Sequence, residues 1–321
     1  MGYKSFKDTI EKAGSIIIFS HVNPDGDTLG TMSALHLILK NNFNKDSVMV
    51  TSGKIPDIYK FLPCTQQIKS AQELDTTKIY DLAIAVDIAA KDRMTDALVL
   101  FENAKVTMNI DHHKTNNNYA DINFVRADAA CAGEVLFDIS QSLNLKIDKL
   151  TAEALYTSIL TDTGGFRFEN TTAVTLQKAA KLIEYGAEPA LISRYCYESK
   201  PKPMVLLQAN SLINAKFIED NKIAYVLITN KDLEKFNAQN DHTEGIVEAL
   251  RQINTTEVSF VLKEVDENTT KASLRSKNTD VSLVASAFGG GGHTFAAGCT
   301  IRKPLNIACD KMIEEIKKHL C

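Results

Sequence analysis

Apolar positions in the first half of the chain fall into short blocks separated by longer amphipathic stretches. Ile16–Phe19 is a continuous apolar run of strand length. Residues 29–40 after it place their apolar side chains at helical spacing, with Asp27 or Thr28 as the expected N-cap. Ser47–Thr51 is β-branched enough for a second strand. Leu82–Val86 reads as a strand buried on both faces, and 106–110 as another. Residues 132–143 and 151–160 carry helical periodicity. This alternation predicts an α/β fold built on a doubly wound, mostly parallel sheet.

The pattern changes near Gly186. Residues 188–212 contain Ser199-Lys200-Pro201-Lys202-Pro203, a polar, proline-interrupted stretch that reads as a linker between a first domain, 1–187, and a second, 213–321. In the second, Ile223–Ile228 is strand-like, 243–253 helical, and 258–265 and 270–275 read as paired strands. A short helix over 281–288 leads into Gly289-Gly290-Gly291-Gly292-His293, and 307–320 reads as a terminal amphipathic helix. The expectation is a smaller α/β domain.

Length and composition leave this picture intact. The 321 residues are enough for two cores, and 44% hydrophobic with 24% charged residues is ordinary for a globular protein. The net charge of −4 argues against wrapping duplex DNA, and 14 Lys/Arg against 15 Asp/Glu from Ile213 onward make the second domain no basic platform either. No apolar run is long enough to span a membrane, and Ile16–Phe19 is too short for a signal-peptide core. Met1-Gly2 is followed by Phe6 where a myristoylation motif needs Ser or Thr. Cys64, Cys131, Cys196, Cys299, Cys309 and Cys321 show no C-x-x-C spacing and read as reduced thiols of a cytoplasmic protein.

The chemistry sits where the apolar runs stop. His21-Val22-Asn23-Pro24-Asp25-Gly26-Asp27 follows the first run, Asp87 follows Leu82–Val86, and Asp111-His112-His113 follows 106–110. Asp162 stands in Thr161-Asp162-Thr163-Gly164-Gly165 at a helix end. Open α/β sheets gather ligands outside the carboxyl ends of their strands, so these clusters are expected to converge there. Each has a plainer reading: Asn-Pro-Asp-Gly-Asp as a capped turn, Asp87 as a cap or salt bridge, Asp162 as part of a C-terminal turn. Together they place five carboxylates and three imidazoles in one crevice, a crowd that needs a cation. On an extended segment His112 and His113 point opposite ways and take different tasks.

The oxygen-rich set His21, Asp25, Asp27, Asp87, His112 and Asp162, without cysteine, favours Mn²⁺ or Mg²⁺ over a structural zinc. Six ligands suit two ions sharing one carboxylate, an arrangement that activates water for attack on phosphorus. The glycine run before His293 allows close backbone approach to an anion or base, and Arg275-Ser276 offers a guanidinium and a hydroxyl for phosphate. A flexible hairpin with a surface His293 and an ion-paired Arg275 accounts for the same residues.

In order, HVNPDGD, Asp87, DHH, TDTGGF, Arg275-Ser276 and GGGGH-x-x-A-A-G resemble the DHH phosphoesterases with a DHH-associated C-terminal domain, over about residues 15–300. The size resembles the compact, NrnA-like members, which degrade very short oligoribonucleotides and remove the 3′-phosphate of pAp; close relatives cleave cyclic di-AMP or pApA. The resemblance implies two Mn²⁺ ions, one held by His21, Asp25 and Asp87, the other by Asp27, Asp87, His112 and Asp162. It further implies that Asp111 orients the histidine segment and that His113 approaches the scissile phosphate. Arg275, Ser276, Gly291, Gly292 and His293 then grip the far end of a short RNA or small nucleotide, and a homodimer is expected. Ala129-Ala130-Cys131-Ala132-Gly133-Glu134 departs from relatives that carry Ser or Thr there, which alters any hydroxyl contact to phosphate. Cleavage of inorganic pyrophosphate and a non-catalytic nucleotide sensor are the rival functions. The GGGGH signature speaks against the first, and the full set of expected ligands against the second.

Overall fold

The computed structural model describes residues 2–320; Met1 and Cys321, the latter one of the six cysteines above, lie outside it. The chain divides into two compact units, one ending at Ser199 and the other beginning at Lys200.

The first unit runs α1 (Lys4–Lys12), β1 (Ile16–Phe19), α2 (Gly26–Phe43), β2 (Ser47–Thr51), β3 (Lys69–Ser70), β4 (Leu82–Val86), α3 (Leu98–Glu102), β5 (Val106–Asp111) and β6 (Ile122–Val125). Four helices follow: α4 (Ala132–Ser142), α5 (Lys149–Asp162), α6 (Ala173–Glu184) and α7 (Pro189–Tyr197). Its strands form one sheet in the order β3-β2-β1-β4-β5-β6, parallel throughout. The continuous apolar strands serve two cores at once. Ile16 and Ile18 of β1, with Leu82, Ile84 and Val86 of β4, pack on the side of α1, α2, α4 and α5. Ile17, Phe19, Ala83 and Ala85 point the other way, toward Met94, Leu100 and Phe101. Burial on both faces is why these strands lack polar alternation.

Helix α2 is buried at every residue from Gly26 to Leu39. It lies so close to α5 that a Cβ at Gly30 would stand 2.5 Å from the Ala154 carbonyl oxygen. The chain reverses its order of strand addition between β1 and β4, and such a switch point opens a crevice at the carboxyl ends of the two strands. At the opposite end, the Asp81 carboxylate accepts from the Gly14 and Ser15 amides at 2.9 Å and pairs with Lys105 at 2.8 Å. One side chain thus ties together the starts of β1, β4 and β5.

The second unit comprises α8 (Lys202–Ile213), β7 (Lys216–Ile218), β8 (Ile223–Ile228), α9 (Asn230–Phe236), α10 (Ile246–Arg251), β9 (Val258–Asp266) and β10 (Thr269–Ser276). It closes with α11 (Val281–Ser286), β11 (Gly291–His293), β12 (Ala296–Ile301) and α12 (Leu305–His319). Its sheet has the order β11-β12-β10-β9-β8-β7, antiparallel except for the parallel β8–β9 pair. α12 packs Ala308, Met312 and Ile316 on one face, and Leu207, Ile246 and Leu250 cover the other.

Three local expectations change. Asp25, rather than Asp27 or Thr28, caps α2, because Gly26 and Asp27 are already helical and Asp25 Oδ1 accepts from the Asp27 and Thr28 amides at 3.1 Å. The helix expected over 243–253 is confined to α10, since Gly245 at φ 83° breaks it from a 3₁₀ turn over Asn240–Thr243. Residues 188–212, expected as a linker, hold α7 and most of α8. Pro189 and Pro203 sit in first helical turns, where the missing N–H costs nothing, Pro201 is the N-cap of α8, and Ile192, Cys196 and Leu207 are buried in the adjoining cores.

Candidate metal centre

The loop after β1 is pinned from below: the Val22 amide donates to the Arg93 carbonyl at 2.9 Å. This sets His21 7% exposed at the mouth of the crevice, with Nε2 3.5 Å from Asp87 Oδ2 and 4.0 Å from Asp25 Oδ2. Asp87 leaves β4 at φ 57°, a left-handed conformation uncommon outside glycine, which aims its carboxylate back into the crevice. Its two oxygens face different partners. Oδ2 faces His21 and accepts from Thr28 Oγ1 at 2.5 Å. Oδ1 lies 3.5 Å from His112 Nε2 and 3.6 Å from His113 Nδ1 and, though buried, accepts no hydrogen bond.

His112 Nε2 is the hub of the second group, 3.6 Å from Asp27 Oδ2 and 3.7 Å from Asp162 Oδ2. Asp27, in the first turn of α2, is 2% exposed. Its Oδ1 accepts from Ser158 Oγ (2.6 Å), Thr31 Oγ1 (3.0 Å) and the Gly133 amide (3.2 Å), and its Oδ2 from the Ala132 amide at 2.9 Å. Asp162 ends α5, and Asn170 Nδ2 reaches its Oδ2 at 3.4 Å and its carbonyl at 3.1 Å.

The two histidines after β5 do not diverge. β5 ends at Asp111, so strand alternation stops before them, and their rings lie 4.7 Å apart with both reaching Asp87. They still differ in support. His113 Nδ1 is 2.8 Å from Asp111 Oδ1, while Asp111 Oδ2 accepts from Asn116 Nδ2 at 2.5 Å, so this fully buried carboxylate is committed to holding His113.

The charges in the crevice act strongly on one another. Burial, then the Asp87 charge, raises Asp27 well above the usual carboxylate range. Burial pushes Asp162 up to about 7 against the pull of His112. Burial also opposes ionisation of Asp87, but His112 and His21 hold it well below its ordinary value. Burial draws His112 down, yet Asp87, Asp27 and Asp162 outweigh it and lift the imidazole to about 10. The donors form three sets, His21–Asp25–Asp87, Asp27–His112–Asp162 and Asp87–Asp111–His112–His113, each with its ligand atoms within 4.8 Å of one another; the third shares Asp87 with the first and His112 with the second. Carboxylate oxygens and imidazoles with an unsatisfied Asp87 Oδ1 fit hard divalent cations. Burial raises the nearby Cys131 thiol well above its normal value, and its Sγ accepts from the Glu134 amide and from Ser158 Oγ.

In the second unit, register aligns Arg275 of β10 with Ala296 of β12 and Ala296 with His293 of β11, one row across three strands. Arg275 is 27% exposed and pairs with Glu248 at 2.8 Å, as the ion-pair reading expects. Gly291, Gly292 and His293 form an exposed strand rather than a loose hairpin. Gly292 sits at φ 150°, where a Cβ would stand 2.4 Å from the Ala296 carbonyl oxygen. Ser276 is 1% exposed, and its hydroxyl donates to the Thr279 carbonyl at 2.5 Å, so it is not offered to a ligand.

Sequence reasoning missed the supporting groups: Thr28, Thr31, Ser158, Asn116, Asn170 and the Ala132 and Gly133 amides. Polar residues inside apolar helices, such as Thr31 and Ser158, were the available signal.

Residues 15–159 match the DHH family, N-terminal domain, and residues 220–320 the DHHA1 domain. A Streptococcus mutans protein, "Probable bifunctional oligoribonuclease and PAP phosphatase NrnA", is 32% identical over 92% of both chains. The Thermus thermophilus "Bifunctional oligoribonuclease and PAP phosphatase NrnA" is 30% identical over 96% of this chain and 90% of its own. A solved exopolyphosphatase-related protein from Bacteroides fragilis superposes with a TM-score of 0.92 at 25% identity, covering 98% of this chain and 95% of that one. With both domains in order and relatives aligned nearly end to end, the chain belongs to the DHH family of phosphoesterases.

Proposed function

We propose that the chain is a Mn²⁺-dependent phosphoesterase that hydrolyses short oligoribonucleotides and pAp with two metal ions. The observation that carries this reading is Asp87, whose two oxygens face two separate donor groups, the disposition of a bridging ligand. His21, Asp25 and Asp87 would hold one ion, and Asp27, Asp87, His112 and Asp162 the other. The bound ions supply positive charge for the phosphoryl oxygens and lower the pKa of water. His113, oriented through Nδ1 by Asp111, would approach the scissile phosphate and stabilise the charge that develops there. The printed names of the S. mutans and T. thermophilus relatives support the choice of short RNA and pAp.

On this reading the first unit carries the hydrolytic chemistry. Arg275, His293 and the Gly291–Gly292 backbone of the second bind the nucleotide portion of the substrate. Ser276 serves its own turn instead. Among the described residues no helix is long and apolar enough to cross a membrane. The reading places the enzyme in the cytoplasm as a homodimer, which sedimentation of the purified chain checks.

The test is a set of initial rates with Mn²⁺ on pAp, pApA, a five-nucleotide RNA, cyclic di-AMP and pyrophosphate, with Asp87→Ala as the blank. Hydrolysis of pAp and the short RNA, absent in Asp87→Ala, is expected. Turnover of pyrophosphate alone would remove the nucleotide role from the second unit, and preference for cyclic di-AMP or pApA would reassign the substrate.

A further inference from the structure

Behind Asp27 lies a buried network of charge that the proposed chemistry does not use. Glu134, in the first turn of α4, is 2% exposed, and Lys178, midway along α6, is 9% exposed. Lys178 Nζ donates to Glu134 Oε1 at 2.9 Å and to Asp138 Oδ2 at 2.7 Å, and Arg126 also pairs with Asp138. Charges this deep are costly to bury and are retained only where each is fully engaged. The other Glu134 oxygen is occupied too: Oε2 accepts from the Ala130 amide and from Thr175 Oγ1, both at 3.1 Å.

The Ala130 contact gives the pair its purpose. Ala130 begins the turn into α4, and Cys131 Sγ caps that helix by accepting from the Glu134 amide at 3.3 Å. The next two amides, Ala132 and Gly133, hold the two oxygens of Asp27. Asn170 grips the turn from the other side, donating to the Ala130 carbonyl at 3.0 Å and to the Asp162 carbonyl at 3.1 Å. One four-residue turn therefore aims Asp27 and shares an anchor with Asp162, two members of a single donor set, and touches none of His21, Asp25 or Asp87.

We infer that Lys178 and Glu134 are positioning residues that lock the 130–133 turn and so set the affinity of the Asp27–His112–Asp162 position alone. Alanines and a cysteine at 129–132 offer no side-chain hydroxyl of their own, so the turn is fixed through its backbone, from Glu134 behind it. The inference rests on the metal-centre reading above. It goes further by assigning the two ion positions separate supports, one of them on α6.

The test is titration of the metal-free full chain with Mn²⁺, followed by calorimetry, together with hydrogen exchange of the Ala132 and Gly133 amides before metal is added. The unsubstituted chain should bind two ions. In Glu134→Gln, binding at one position should weaken about 10–100-fold, the range for lost partners behind a ligand. The other position should be unchanged, and both amides should exchange faster. Lys178→Arg, which keeps the cation, should retain wild-type values. Should Glu134→Gln not fold, Thr175→Val removes the bond to Oε2 together with the Thr175 side of the α6 capping box, and should show the same selective loss on a smaller scale, with Thr172→Val as the control for the cap. Unchanged affinities and unchanged exchange overturn the inference, as does an equal loss at both positions, which marks a general support of the fold. Failure of the unsubstituted chain to bind Mn²⁺ overturns the metal reading beneath it.

Discussion

Asp111 and Asp87 show how two buried carboxylates one strand apart take opposite roles. Asp87 keeps an oxygen without a hydrogen bond, whereas Asp111 spends both of its own on His113 and Asn116. On the proposed reading the first is a metal ligand, and the second orients the His113 imidazole. Asp111→Asn should therefore cut kcat by roughly 10²-fold, the scale of a single misoriented proton donor. Mn²⁺ affinity should stay near wild type, and the two are checked by parallel rate and binding measurements. Loss of metal from Asp111→Asn would place this carboxylate among the ligands instead. At this scale the departure from Ser or Thr at 129–133 also gains a meaning, because the turn contributes backbone amides to Asp27 rather than hydroxyls to a substrate.

Among the elements, β1, β4 and β5 are joined at their starts by Asp81 and carry the candidate site at their ends. Lys105 above all, then the Gly14 amide and Ser15, holds the Asp81 carboxyl down to about 2. A carboxylate whose folded pKa is depressed stabilises the fold above its unfolded value near 4 and loses that contribution as pH falls through about 2. Asp81→Asn should thus lower Tm at pH 7, with the gap to wild type closing toward pH 2; a gap independent of pH would exclude the charge as its cause. Much of this architecture was legible beforehand. Unbroken apolar runs such as Leu82–Val86 mark strands buried on both sides, and the acidic and histidine clusters mark their carboxyl ends. Less could be read where a local rule yields to context. The prolines of 188–212 begin helices because buried Ile192 and Leu207 tie those helices down. Ser276 looked available until the turn to Thr279 claimed its hydroxyl. The partners of Asp27 come from α4 and α5, more than 100 residues away, and no spacing rule reaches that far.

Across the whole molecule, each unit has its own sheet and its own pair of cores, and all six proposed metal ligands belong to the first. Mn²⁺ at about 100 times its Kd should stabilise that unit by roughly 2.7 kcal/mol per site and leave the second unit's melting transition in place. Calorimetric scans with and without Mn²⁺ measure this, and equal shifts of both transitions would contradict the assignment. The strand order has a consequence during synthesis as well. β1 pairs with β2 nearby in sequence, but its other edge must wait for β4, with Ile16 opposite Leu82 some 66 positions later. At about 5–20 residues per second, the ribosome takes roughly 3–13 s to deliver that partner. For that interval each nascent chain displays an unpaired, wholly apolar strand edge, a natural client for the chaperones that wait at the exit tunnel.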